Sequence, residues 1–396
     1  VTARRPREPP ITRSALPESF ALLQVTPRLD GGGVESVTLE VAAATAAAGA
    51  RSLVASRGGA LARRLADVGA SLVTLPVDSK SPATILANGA RLARIVRRSG
   101  VTLVHVRSRA PAFSALIAGR LTGVPVIATY HGIYSARSGL KRWYNGVMTR
   151  GVVTIANSQF TRRHILSQHE VDERRVVVIP EGVDTRVFDP EAVSADRLAA
   201  VRAAWGLGPL DRRPVILLAA RLTAWKGQRM AIEALASLAS SDAVLILSGE
   251  AQSRAYADAL AAAVRAAGLA ERVRIVGQTA DMPAAYLAAD LVVAPSSEAE
   301  SFGRSVAEAC AMERLVIASR LGAVPETLAG GAAGWLVAAG DVAAWSGAMS
   351  AGLALGMEER RAIGQAARAR VVASYSLTVM CAATFDLYRR LTEDRR

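Results

Sequence analysis

Apolar positions along this chain follow two alternating patterns. Short runs rich in β-branched residues are separated by longer alanine-rich segments of helical character. In the first half the runs are 21–25, 52–55, 71–75, 102–106, 126–129, 152–156 and 176–179. In the second they are 215–219, 244–247, 273–276, 291–294, 316–318 and 335–337. Continuous apolar runs between helices indicate parallel strands buried on both faces. Thirteen of them are too many for one compact sheet, so the pattern predicts two doubly wound α/β domains. The join is expected at Asp184–Ala195, where Phe188-Asp189-Pro190 breaks the rhythm. That places one domain at 18–190 and the other at 191–374, with no internal repeat of solenoid period.

Composition narrows the class. The 396 residues are 51% hydrophobic and 21% charged, enough apolar surface to offset ordering entropy, which excludes a disordered polymer. The longest charge-free stretches, 121–136 and 342–357, are 16 residues each and interrupted by glycine. A spanning helix needs about 20 apolar residues. The first residues carry Arg4, Arg5, Arg7, Arg13 and four prolines without an apolar core, and read as a loose basic tail over 1–17 rather than an export signal. Cys310 and Cys381 are too few for a disulfide framework and lack metal-ligand spacing, which points to a reducing cytosol.

Charge is unevenly placed. Residues 1–190 hold 26 Lys/Arg against 13 Asp/Glu, whereas 191–396 hold 22 against 21. Between Ser79 and His169 there are 14 basic residues and no acid. A solvated surface mixes both signs, so this stretch suggests an anionic partner; an arginine-rich background is the alternative.

In open α/β sheets, ligands bind beyond the carboxyl ends of strands, so candidate chemistry belongs in those loops. After 21–25 comes Gly31-Gly32-Gly33 at a helix start, which suits close approach of an anion but matches neither the dinucleotide nor the P-loop fingerprint. After 126–129 comes His131-Gly132, the best placed of four histidines. His105 reads as a core residue inside a strand, and His164 and His169 as surface positions. After 215–219, Arg221 and Lys226 lie five residues apart, spaced to clamp a diphosphate. The most informative segment is Pro295-Ser296-Ser297-Glu298-Ala299-Glu300-Ser301-Phe302-Gly303-Arg304, followed by Glu308. Glu308 lies on a helix that is apolar nearly all round, so its carboxylate needs a hydrogen-bond donor, for which sugar hydroxyls are suited. Gly322 and Glu326 follow the next strand.

Taken in order over nearly the whole chain, Gly31–Gly33, His131-Gly132, Ile179-Pro180-Glu181-Gly182-Val183-Asp184, Arg221 with Lys226-Gly227, and Glu300-x7-Glu308 with Gly322 and Glu326 resemble the family 4 glycosyltransferases. Within that family the sequence looks most like bacterial members that build lipopolysaccharide core or other cell-surface glycans. The resemblance implies a GT-B fold, with two Rossmann-like domains facing across a cleft and a last helix, 375–396, returning to the first domain. It implies a retaining hexosyltransferase using a GDP- or UDP-linked sugar, GDP-mannose first. In that reading Arg221 and Lys226 neutralise the diphosphate, Glu308 holds the ribose and Glu300 contacts the donor sugar. Gly32 and Gly33 approach the phosphate side, His131 faces the transferred sugar, and Phe302, Gly303 and Arg304 bring the donor phosphate to a helix start. Three positions depart from the family's pattern: Ala323 and Glu313 replace common glycines, and Glu181 replaces a common asparagine.

Without a D-x-D motif, no carboxylate-bound metal is indicated, and no other cofactor is expected. Leaving-group stabilisation then falls to cations and helix N-termini, and the departing phosphate takes the acceptor's proton. The implied first domain binds the acceptor, expected to be an anionic glycan or glycolipid. Arg91, Arg94, Arg97 and Arg98 on a helix over 82–98 form either a solvated face or one that rests on anionic lipid at the cytoplasmic membrane. Arg107, Arg109, Arg137, Lys141 and Arg142, in or near loops after strands, are candidates to grip the acceptor. A GT-B epimerase or phosphorylase is the rival enzyme. A nucleic-acid binder lacks a recognition motif and interleaved aromatics, and leaves Glu300 and Glu308 without purpose.

Overall fold

The computed structural model describes residues 16–17, 19–134, 138–238, 241–328 and 333–393; most of the basic segment 1–17 therefore lies outside the described residues. Seven strands form one parallel sheet: β1 (Ala21–Val25), β2 (Arg51–Ser56), β3 (Ser71–Thr74), β4 (Leu103–Val106), β5 (Val126–Tyr130), β6 (Val153–Ala156) and β7 (Val176–Val178). Their order is β3-β2-β1-β4-β5-β6-β7. A second parallel sheet holds β8 (Val215–Ala219), β9 (Val244–Ser248), β10 (Val273–Gly277), β11 (Leu291–Ala294), β12 (Leu315–Ser319) and β13 (Trp335–Val337), in the order β10-β9-β8-β11-β12-β13. All thirteen predicted runs are strands, and both sheets are Rossmann-like.

Each sheet is covered on both faces, which is why its strands read as continuous apolar runs. In the second sheet Val215, Leu217, Val292 and Val316 face the helix Arg304–Ala311, while Ile216, Leu218, Leu291 and Ile317 face Ala231, Ile232 and Leu235. In the first, Leu23, Val25, Val104 and Val106 pack on Leu92, Val96, Ala112 and Ala115. The opposite face, with Leu22, Leu103, Ile127 and Ile155, packs against Cys381, Phe385 and Tyr388 of the final helix, Leu377–Glu393.

The chain accordingly divides into two compact units. One contains the first sheet and the final helix; the other runs from Val183 to Ser376. The division precedes the expected join because Thr185–Asp189 are packed. The buried guanidinium of Arg368 donates to the carbonyls of Thr185 and Phe188 and pairs with Asp189. Among the described residues, no helix is long and apolar enough to cross a membrane.

Strand order reverses between β1 and β4 in one unit and between β8 and β11 in the other. Such switch points open a crevice beyond the carboxyl ends of the strands. The loops after β8 and β11 are the ones that carry Arg221, Lys226 and Glu300.

Two departures noted in the sequence acquire a structural reading. Glu313 is the single non-glycine residue at positive φ (58°) among those described, the conformation that makes glycine common there. Ala323 has φ −88°, so alanine fits without strain.

His105 sits inside β4 as expected. Its Nδ1 is 2.6 Å from the Tyr388 hydroxyl and its Nε2 2.7 Å from Thr129 Oγ1. Burial, with Arg107 and His131 nearby, lowers its pKa well below the ordinary histidine value, so the folded ring is neutral. Tyr388→Phe should lower the unfolding free energy by about 1–3 kcal/mol in urea denaturation, because one buried ring nitrogen loses its partner. The unfolded chain binds more protons than the folded one below about pH 6.5. Stability should therefore fall on acidification, and thermal melts of His105→Gln should show a smaller fall.

Candidate functional site

In the carboxyl-terminal unit the loops after β8 and β11 are pressed together. A Cβ on Gly227 would run into the carbonyl of Pro295, and the backbone N–H of Ser297 donates to the Trp225 carbonyl at 2.8 Å. This closure brings Lys226 Nζ to 2.8 Å from Glu300 Oε2, with both side chains largely buried. Ser296 Oγ donates to the other carboxylate oxygen at 2.6 Å, and Lys226 Nζ lies 4.3 Å from the centre of the Trp225 ring. A half-buried ion pair must be well satisfied to offset desolvation, and here the remaining lone pairs have a named donor. Gly322, at φ +63°, seals the other side: a Cβ there would strike the Glu300 backbone, whose carbonyl accepts from Ala323 N–H at 2.9 Å.

Arg221 is exposed at the end of β8, and its carbonyl accepts from Gln228 Nε2 at 2.9 Å, which fixes the backbone while leaving the guanidinium in solvent. Gly303 adopts φ +87° immediately ahead of the helix Arg304–Ala311, and Phe302 is buried against Tyr375. Glu308 accepts from Arg304 Nε at 3.0 Å and from the Tyr286 hydroxyl at 3.1 Å. The donors required by a carboxylate on an apolar helix are thus protein groups as well as any ligand. Burial and the neighbouring carboxylate push the Tyr286 pKa well up, which keeps it a donor. Ser296 lies in the segment singled out from the sequence, four residues before Glu300; Tyr286 had no signal there, because it is twenty-two residues from Glu308.

In the amino-terminal unit, Gly32 (φ +140°) precedes the helix Gly33–Ala47, and both glycines are exposed. The Glu35 carboxylate lies where a Gly32 Cβ would meet it at 2.8 Å, so this helix start already has an anion beside it. His131 directly follows β5, and its Nδ1 is 2.9 Å from Glu181 Oε1. Burial lowers its pKa, and the Glu181 hydrogen bond and charge only partly oppose that.

Several expected acceptor residues are placed otherwise. Arg107 is buried (3% exposed) and donates through Nε and Nη2 to Gln24 Oε1, so it is a core residue rather than a gripping side chain. Arg109 is half-buried, donates to Asn145 and stacks 3.9 Å over Tyr134. His164 and His169, expected at the surface, are half-buried beside Tyr130, and His169 Nε2 is 3.3 Å from its hydroxyl. Arg91, Arg94, Arg97 and Arg98 are exposed along the helix Pro82–Arg98, and Lys141 and Arg142 are exposed on Gly139–Asn145 beside Leu140 and Trp143. Arg137 lies outside the described residues.

With this geometry in hand, comparison with known proteins places the chain. Residues 31–187 match the pattern described as Glycosyltransferase Family 4, and 213–354 that of Glycosyl transferases group 1. A solved glycosyltransferase from Rickettsia africae is 30% identical, with a TM-score of 0.88 over 95% of this chain and 99% of that one. The HepE protein of Anabaena, solved with UDP-glucose, shares the fold at 22% identity and a TM-score of 0.81, over 95% of this chain and all of that one. D-inositol 3-phosphate glycosyltransferase of Mycobacterium tuberculosis is 32% identical over 238 residues, 60% of this chain and 48% of that protein. The chain thus matches about half the length of these curated relatives.

The steric role of Gly322 can be separated from its backbone preference. Gly340 also has positive φ (79°) but nothing within 4 Å of a Cβ. Gly340→Ala should cost about 1–2 kcal/mol in denaturant unfolding. Gly322→Ala should cost at least about 1 kcal/mol more, because the Glu300 backbone must move.

Proposed function

Because this chain belongs to the glycosyltransferases of the family 4 type, with the GT-B fold, we propose that it moves a hexose with retention from a nucleotide sugar to an anionic acceptor. The observation that carries this reading is the Lys226–Glu300 pair at the switch point of the carboxyl-terminal sheet, where the loop of Lys226 also carries the exposed Arg221. A diphosphate approaching that edge meets Arg221 as a planar fork on an anchored backbone and Lys226 as a point charge. Drawing Lys226 toward phosphate releases part of the Glu300 carboxylate to accept from sugar hydroxyls. Glu308, steadied by Arg304 and Tyr286, is suited to the ribose diol. GDP-mannose is the first donor proposed and a UDP-hexose the second. The leaving phosphate receives the acceptor's proton, with no metal in the step.

The acceptor side rests on charge. With Arg107 committed to the interior and Arg109 stacked on Tyr134, the exposed arginines of Pro82–Arg98 and the Lys141–Arg142 pair are the exposed cations left among the described candidates to meet a phosphorylated polyol or a glycolipid at an anionic membrane surface. The M. tuberculosis relative is named for an inositol phosphate, an anionic acceptor of this kind. A role in cell-surface glycan or lipopolysaccharide synthesis is part of the same proposal.

Lys226→Ala, Arg221→Ala and Glu300→Ala should each slow transfer at least about a hundredfold, on the order of 3 kcal/mol of barrier, while keeping native far-ultraviolet circular dichroism. Near-native rates in all three variants would end the reading. Calorimetry with UDP and GDP identifies the base. The whole chain should cosediment with phosphatidylglycerol vesicles at low salt and be released by salt, and an Arg91/Arg94/Arg98→Ser triple variant should bind less. No binding at low salt would remove the membrane.

A further inference from the structure

Three neighbouring strands of the amino-terminal sheet each deliver a polar side chain just beyond their carboxyl ends. His131 follows β5, Asn157 follows β6 and Glu181 follows β7. Glu181 is buried (8% exposed), a costly place for a carboxylate without donors. Its donors include His131 Nδ1 and Asn157 Nδ2, both 2.9 Å from its Oε1.

The direction of these bonds follows from their neighbours. Ser158 Oγ donates to Thr161 Oγ1 at 2.9 Å, which donates to Asn157 Oδ1 at 2.9 Å, so the asparagine amide turns its NH2 toward Glu181. Oε1 is therefore an acceptor, and the proton shared with the imidazole belongs to Nδ1. Asparagine, the residue common at position 181 in the family, carries both a donor and an acceptor and would accommodate either tautomer.

We propose that Glu181 is the positioning residue for His131, fixing the Nδ1–H tautomer so that the ring, whose side chain is 2% exposed, keeps Nε2 as its hydrogen-bond acceptor. This rests on the glycosyl-transfer reading. A ring locked in this way selects a hydroxyl that donates and disfavours a carbonyl or ether oxygen at the same place. The charged and titratable groups near the ring are Glu181, Arg107 and His105. Burial and Arg107 keep the imidazole neutral, the state in which Nε2 can accept.

The test is nitrogen NMR of histidine-labelled whole protein at mildly alkaline pH, with the His131 signals assigned by their loss in His131→Asn. Wild type should show His131 as the Nδ1–H tautomer. Glu181→Asn and Glu181→Gln should each admit the Nε2–H form. In the same two variants kcat/KM should fall about tenfold or more, while affinity for UDP or GDP is kept. The acid limb of the kcat/KM profile should move to lower pH, because the carboxylate that favours the imidazolium is gone. An Nε2–H tautomer in wild type, an unchanged tautomer in both variants, or native kcat/KM despite a changed tautomer overturns the inference. Failure of the glycosyl-transfer reading shows separately, as wild-type protein that binds neither nucleotide; the tautomer result stands apart from it.

Discussion

A strand that is paired on both edges and covered on both faces leaves the chain few places to put a charge, and the loop beyond its carboxyl end is one of them. Both sheets here obey that constraint. Lys226 and Glu300 follow the two strands at the switch point of the second sheet, and Arg107, His131, Asn157 and Glu181 follow four consecutive strands of the first. The chemistry is gathered by topology, since neighbours in the sheet are distant in sequence. Glycines then set how closely the loops approach. At 227 and 322 a side chain would collide with the facing backbone, so the charges of these loops are held by main-chain contacts rather than by flexible side chains.

What lies beyond the strands is mostly partnered. Lys226 pairs with Glu300, Arg304 on the following helix pairs with Glu308, and the neutral His131 donates to Glu181. Pairing lowers the desolvation cost of each group and fixes its rotamer, at some loss of free charge for a ligand. Arg221 differs, a guanidinium whose backbone is anchored and whose head is not buried. One exposed fork and one cation leaning on a carboxylate are groups that can exchange partners with little rearrangement of the backbone.

The basic excess of the first half splits into two populations once folded. Arg107 and Arg109 serve the interior, bonded to Gln24 and Asn145 and stacked on Tyr134. The arginines of Pro82–Arg98 stay on the outer face of a helix whose inner face buries Leu92, Ala93 and Val96. Net charge along the sequence therefore overstates the charge available to a partner, because it counts guanidinium groups that are spent on packing.

The sequence alone determined the thirteen strands, the two-sheet architecture and the loops that carry the charged residues, since hydrophobic periodicity and glycine placement are local signals that survive without a fold. It also marked 313, 323 and 181 as unusual positions, though not why. Only the tertiary structure decided that Glu313 occupies a left-handed backbone, that Ala323 is unstrained, and that Glu181 grips His131 fifty residues away. The same holds for Tyr286 on Glu308 and Tyr388 on His105. Hydrogen-bond partners and burial depend on which strands become neighbours and how deep a side chain comes to lie. Those are properties of the assembled sheet, and no window of sequence contains them.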